Sequence, residues 1–155
     1  MKRKIFFLTS LLMVAMLFAA CAPKSQATDV PETGPTTSHG GPVEDYVSLV
    51  DALRAAGATV EPGDTVEQVF FTVMGQIIKV NGADVQVFEY ESAEAMEADA
   101  ALVAPDGGSI GTSMVTWVAT PHFFKTGRVL VLYVGDDAAI LDLLKSVLGE
   151  QFAGR

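Results

Sequence analysis

The sequence predicts an α+β fold: an N-terminal helix followed by two strand–strand–helix units that form one antiparallel sheet with helices packed on it. Three observations lead to this prediction. The 155 residues are 50% hydrophobic, which is enough for one core. Two tight-turn signals each join apolar extended stretches. A capped segment with helical apolar spacing follows each hairpin.

The first helix is predicted over residues 43–56, because apolar residues recur there at three- and four-residue steps. Gly57 suits the position just after a helix end. A short strand is predicted over 59–61. The turn-forming residues 62–64 are expected to end it.

The first hairpin is predicted from Asn81-Gly82, because both central residues of a type I′ turn need a positive φ. Its strands are predicted over 69–80 and 83–90. Gly75 indicates a bulge or a break in the first of them. The turn pairs Val80 with Ala83.

The second hairpin is predicted from strands over 114–124 and 128–134, around Thr126-Gly127. A glycine-rich loop over 104–113 precedes it.

A helix is predicted after each hairpin. The first begins at the capping residue Ser92 and ends near residue 103, and the second runs from the cap Asp136 to Leu148. A shift of 44 residues places Ser92 on Asp136 and aligns the buried-type helix positions. This alignment predicts a duplicated unit, with both helices on one face of the sheet.

Alternation along the strands divides the predicted sheet into two apolar faces. Phe88 and Leu132 share the face assigned to the two helices that follow the hairpins. The second face is too apolar to lie bare in water. Either the N-terminal helix covers it, or it binds a protein, a small molecule or a second copy. The residues predicted as a possible ligand or partner face are His122, Phe124, Val129, Val131, Tyr133, Val85 and Val87.

Acid–base catalysis in the domain would have to use His122, its only histidine. Ser109 or Ser113 and the acid Asp106 are the partners that such chemistry would need. The sequence has no Gly-x-Ser-x-Gly elbow to place a nucleophile. A partly buried strand histidine is therefore the competing interpretation.

The remaining motifs predict no catalytic residue, no metal site and no cofactor. Residues 106–111 lack the Gly-Lys-Ser/Thr ending of a phosphate-binding loop. Asp136-Asp137 lack the spacing of calcium ligands and are interpreted as helix-start acids. Trp117 is predicted to lie in the core.

The N-terminus has the form of a secretory signal over residues 1–20: three basic residues, then an apolar run of sixteen. The lone cysteine, Cys21, follows Ala19-Ala20. This arrangement resembles the lipobox of bacterial lipoproteins, although Phe18 stands where that family prefers Leu. The resemblance implies that Cys21 carries acyl chains and anchors the chain to a membrane, on its periplasmic or cell-surface side.

Residues 21–42 comprise the lipidated cysteine and a predicted disordered Pro/Thr/Ser/Gly tether, and 43–155 are predicted as one α+β domain. Loss of residues 1–20 removes three of the ten basic residues and no acid, so the net charge changes from −9 to −12. An acidic chain of this kind is not expected to bind nucleic acid.

Two runs, 117–122 and 129–137, resemble small secreted bacterial proteins of unknown role, and this resemblance implies no activity. The leading hypothesis is a lipid-anchored, non-catalytic binding module outside the cytoplasmic membrane, with a protein or small-molecule partner. The alternative is a small envelope hydrolase that uses His122.

Overall fold

A computed structural model describes residues 41–154. The predicted signal over 1–20, the predicted lipidation site Cys21 and nearly all of the 21–42 tether lie outside the described residues. In the described part of the chain, no helix is long and apolar enough to cross a membrane.

The described residues form three helices and eight strands. The helices are α1 (Tyr46–Ala55), α2 (Ala93–Ala100) and α3 (Ala138–Leu148). The strands are β1 (Val60–Val66), β2 (Gly75–Val80), β3 (Ala83–Glu89), β4 (Ser109–Ile110), β5 (Ser113–Met114), β6 (Pro121–Thr126), β7 (Val129–Val134) and β8 (Ala153–Gly154).

Six of the strands form one antiparallel sheet in the order β1-β2-β3-β7-β6-β8, and β4 pairs separately with β5. The predicted α+β class with an antiparallel sheet and packed helices is therefore confirmed. The predicted arrangement of the two units needs the corrections below.

The first hairpin has the predicted register. Asn81 and Gly82 have φ values of +50° and +88°, Val80 pairs with Ala83, and Ile78 pairs with Val85. Local turn chemistry and the two-residue period of the strands are sufficient to specify this pairing.

The first strand continues through the residues that were expected to end it. Pro62 pairs with Ile78, and the register shifts between Pro62 and Thr65. Because β1 is an edge strand, a proline without a donor N–H is tolerated there. The proline, the irregular register and two exposed acids, Glu61 and Asp64, also hinder pairing with another chain.

The second strand begins at Gly75, six residues later than predicted. A Cβ at Gly75 would lie 2.5 Å from the Phe88 ring, so only glycine fits beside that ring. The preceding residues, 67–74, leave the sheet plane and form a loop. Phe71 in this loop packs on Phe88, with 4.8 Å between the ring centroids.

The second hairpin differs from its prediction in length and in turn. Thr126 pairs with Val129, so Gly127 and Arg128 are the turn residues. The sixth strand starts only at Pro121, because its partner β7 ends at Val134, which pairs with Pro121. Residues 115–120 therefore lie outside the sheet.

The two helices after the hairpins lie on opposite faces, which contradicts the single helix face predicted from the repeat. We call the side covered by α1 and α3 the helix face and the side covered by α2 and two loops the loop face. Tyr133 on the helix face accepts a hydrogen bond from the Asp137 N–H (3.3 Å) and so ties the start of α3 to that face. The Ser92 cap starts α2 on the other side.

Candidate functional site

The face predicted to bind a ligand or partner is covered in the structure. It is the helix face, where α1 contributes Leu49 and Leu53 and α3 contributes Ile140 and Leu144. Of the two alternatives, the structure thus has the first, in which the N-terminal helix covers this face, and α3 covers it as well. At most 5% of the surface of any predicted partner-face residue is exposed: His122, Phe124, Val129, Val131, Tyr133, Val85 and Val87.

His122 lies on the helix face and has no catalytic neighbour among residues 41–154. Its Nδ1 lies 2.7 Å from Oε1 of Gln151, and its ring stacks on Tyr133. Its Nε2 is buried and has no hydrogen-bond partner in that range. The predicted acid Asp106 instead accepts the Gly108 N–H. The proximity of Gln151 was not foreseen, because Gln151 lies 29 residues away in sequence.

The acids at the start of α3 act as a helix cap. Oδ1 of Asp137 accepts the N–H groups of Ala139 and Ile140 at 2.8 and 3.4 Å. The cap is thus Asp137, one residue later than predicted. Among the described residues, no group of three or more His, Cys, Asp and Glu side chains could hold a metal ion.

A polar cluster lies between α2 and the 67–74 loop. The Asp99 carboxylate, 4% exposed, accepts hydrogen bonds from the N–H and hydroxyl of Thr72 at 2.8 and 2.9 Å. The nearby Tyr90 hydroxyl is buried without a hydrogen-bond partner in residues 41–154. Burial, and secondarily the Asp99 charge, raises the pKa of Tyr90 above its ordinary value.

A cleft of about 640 Å³ lies beside α1, away from the predicted residues. Its walls include Ala52 and Ala55, with Glu44, Asp45 and Asp51 at its edge. The Asp45 carboxylate caps α1, and hydrogen bonds from the Ser48 N–H and hydroxyl lower the pKa of Asp45. The Asp45 carboxylate therefore has a structural role at the start of α1.

The most exposed apolar side chains belong to the segments 67–74 and 113–120, whose aromatic residues Phe70, Phe71 and Trp117 pack on the loop face. Val118 is 99% exposed, Met114 92%, Val69 90% and Met74 64%. They account for four of the six exposed large apolar side chains in the described chain. We call Val69, Met74, Met114 and Val118 the loop patch.

An aromatic pair supports the loop patch from below. Phe70 and Trp117 meet edge to face, with 6.3 Å between their ring centroids. Trp117 also packs on Phe123 and donates its indole N–H to the Gly107 carbonyl (2.7 Å). The predicted core role of Trp117 is thus met only in part, because this side chain is half-buried. It links the two loops that carry Val69 and Val118.

The loop patch was missed in the sequence, although a signal for it was present. Residues 68–78 and 107–124 contain no Asp, Glu, Lys or Arg, and they are the longest uncharged runs in the described part of this acidic chain. The strand prediction for 114–124 placed Val118 on a sheet face. In the structure Val118 points into solvent, because residues 115–120 have no strand partner.

Comparison with known proteins gives no match of the chain to a protein-family model, to a curated protein or to a solved structure.

Proposed function

We propose that this chain is a membrane-anchored lipoprotein that acts as a non-catalytic binding module outside the cytoplasmic membrane, and that the loop patch is its contact surface. The observation that carries the proposal is the near-complete exposure of Val69, Met114 and Val118, in two segments that the Phe70–Trp117 contact holds together. Side chains of this kind are usually buried, and their concentration on one side of a domain is typical of a contact surface.

A contact that covers several of these side chains together would gain the most free energy. Complete burial of one Val or Met side chain contributes about 1.5–3 kcal/mol. The Phe70–Trp117 pair holds the two loops together before binding, which reduces the ordering cost of the contact. The anchor is carried by the resemblance of residues 1–21 to a lipoprotein signal.

Photo-crosslinking in a bacterial host tests the contact surface in the full chain. A photoreactive amino acid replaces Val118 in one variant and Val47, a half-exposed residue of α1, in the control. We expect an adduct from position 118 that is absent at 47. Equal yields from the two positions would rule out the loop patch as the contact surface.

The anchor is tested separately by mass spectrometry of the mature N-terminus and by fractionation. We expect an acylated Cys21 and a chain that sediments with membranes, and we expect Cys21→Ser to release it. An unmodified Cys21 would remove the lipoprotein part of the proposal.

A further inference from the structure

We propose that the occupant of the loop patch is the lipid bilayer itself, at the boundary between headgroups and acyl chains. This inference deepens the proposed function and rests on it for the anchor. Four observations carry it: the protrusion of the patch side chains, the lack of charge in their segments, the aromatic pair beneath them, and the end of the sheet to which residues 43 and 44 are bonded.

The side chains of the patch protrude from the domain. A side chain such as Val118, 99% exposed, has almost no contact with its own domain, and the cleft beside α1 is lined by residues of 41–56, Ser146 and Val147 instead. A rigid protein partner would need a surface that matches these separate protrusions. Lipid headgroups and acyl chains adapt to protruding apolar side chains, and Trp117 at the base has the amphipathic ring that is enriched at membrane interfaces.

The charge pattern indicates which kind of lipid the patch is expected to contact. No charged side chain occurs in 68–78 or 107–124, the two runs that contain the patch side chains, so these runs bring no ion of their own to be desolvated. The surrounding domain is strongly acidic, and the exposed Glu67 lies in the 67–74 loop itself, two residues before Val69. We therefore expect contact with neutral or zwitterionic lipid and repulsion by anionic lipid.

The position of Val69 and Met74, the half of the patch that lies in the 67–74 loop, suits a chain held by its N-terminus. The Val43 carbonyl accepts the Thr126 hydroxyl, and the Glu44 carbonyl accepts the Arg128 N–H. These bonds fix the chain entry at the β6–β7 turn. This turn and the start of β2 lie at the same end of the sheet. Val129, which follows the turn, pairs with Glu89 of β3. The neighbouring residue Phe88 pairs with Gly75, the first residue of β2.

The loop over 67–74 precedes β2 and therefore lies at the end where the chain enters. The two points are two strand spacings apart, about 10 Å. Residues 115–120 join β6 at the other end of the sheet, and Trp117 meets Phe70 of the first loop. Nineteen residues lie between Cys21 and Gly41, and a flexible tether of that length is expected to span about 25 Å on average. An acylated Cys21 would thus leave Val69 and Met74 within reach of the bilayer surface and raise their effective concentration there.

Trp117 is the only tryptophan of the chain and serves as the probe. The full acylated chain is reconstituted in phosphatidylcholine vesicles with and without bromine on the acyl chains near the headgroups. We expect brominated lipid to quench Trp117 fluorescence. We expect Val69→Asp/Val118→Asp to lose the quenching while the protein still floats with the vesicles, and Val47→Asp to keep it.

Anionic phosphatidylglycerol in the vesicles is expected to reduce the quenching at low salt, and added salt to restore it, because salt screens the repulsion. An acylated chain that floats with the vesicles without quenching overturns the bilayer contact. Cross-linking of Val118 to Val118 of a second copy, in place of lipid, overturns it in favour of a dimer.

The anchor and the bilayer contact fail in distinguishable ways. The Cys21→Ser chain is titrated with an excess of the same vesicles, so that the patch is tested without acyl chains. Weak quenching that Val69→Asp/Val118→Asp abolishes supports the bilayer contact whatever the state of Cys21. Absence of quenching at saturating lipid, in both the acylated and the Cys21→Ser chain, overturns it.

Discussion

The two faces of the sheet are closed in different ways. On the helix face, α1 and α3 lie side by side and cover an apolar surface that includes Val85, Val131 and Phe124. On the loop face, α2 has eight residues, mostly Ala and acids, and buries only Met96, Asp99 and Ala100. A helix this short and small cannot cover the face, so loops bring in Phe71 and Trp117 and leave apolar tips outside. In this molecule, the exposed apolar side chains proposed as a contact surface lie on the face that helices cover incompletely.

The largest change in the free energy of unfolding is expected from a cavity on the helix face. Phe124 is fully buried, and Phe124→Ala is expected to lower the free energy of unfolding by about 3–5 kcal/mol. Val118→Ala on the loop patch is expected to change it by less than about 0.5 kcal/mol, because that side chain is exposed. Urea unfolding followed by circular dichroism measures both. Similar losses would mean that the two regions do not differ in packing as the structure indicates.

A smaller loss is expected from the link between α2 and the 67–74 loop. Asp99→Ala leaves two Thr72 donors without their acceptor and is expected to cost about 1–3 kcal/mol. Hydrogen exchange should accelerate in 67–74 more than in α1. Asp99→Asn is the matched control, because its amide oxygen still accepts from Thr72. Unchanged exchange in Asp99→Ala would show that aromatic packing alone holds this loop.

The same contrast explains which parts of the fold could be predicted. The Asn81-Gly82 hairpin was predicted with its register because its turn is specified by adjacent residues. The strand expected over 114–124 has the composition of a strand, but β7 ends at Val134 and leaves 115–120 without a partner. Pairing length is a tertiary property, and propensity does not encode it.

The sequence pattern also could not predict on which face of the sheet each helix packs. Three residues connect strand to helix in both units, 90–92 and 135–137, yet α2 and α3 lie on opposite faces. The strand positions that align in the two units do share a face, as Phe88 and Leu132 show. The site prediction used this alignment, and it therefore selected the face that α3 and α1 cover.

The smallest effect at neutral pH is expected from Tyr90, whose buried hydroxyl has no hydrogen-bond partner within residues 41–154. Tyr90→Phe is expected to change the free energy of unfolding by less than about 0.5 kcal/mol near pH 7. Because burial raises the pKa of Tyr90, the folded chain keeps its proton above pH 10, where the unfolded chain, with the ordinary pKa of 10.0, releases it. The contribution of Tyr90 to the free energy of unfolding is thus fully present below pH 10 and decreases as the pH rises above 10.

The alkaline loss attributable to Tyr90 is at most about 1.4 kcal/mol per pH unit, the value for one proton. Urea unfolding of the wild type and Tyr90→Phe, each near pH 9 and near pH 11, isolates it, since other titrations cancel in the double difference. We expect the phenylalanine variant to lose less stability on going to the higher pH. Equal losses would mean that Tyr90 ionises in the folded chain as it does in the unfolded one. The loop face would then admit water down to the Asp99 cluster, and its difference from the helix face would extend from the exposed tips into its core.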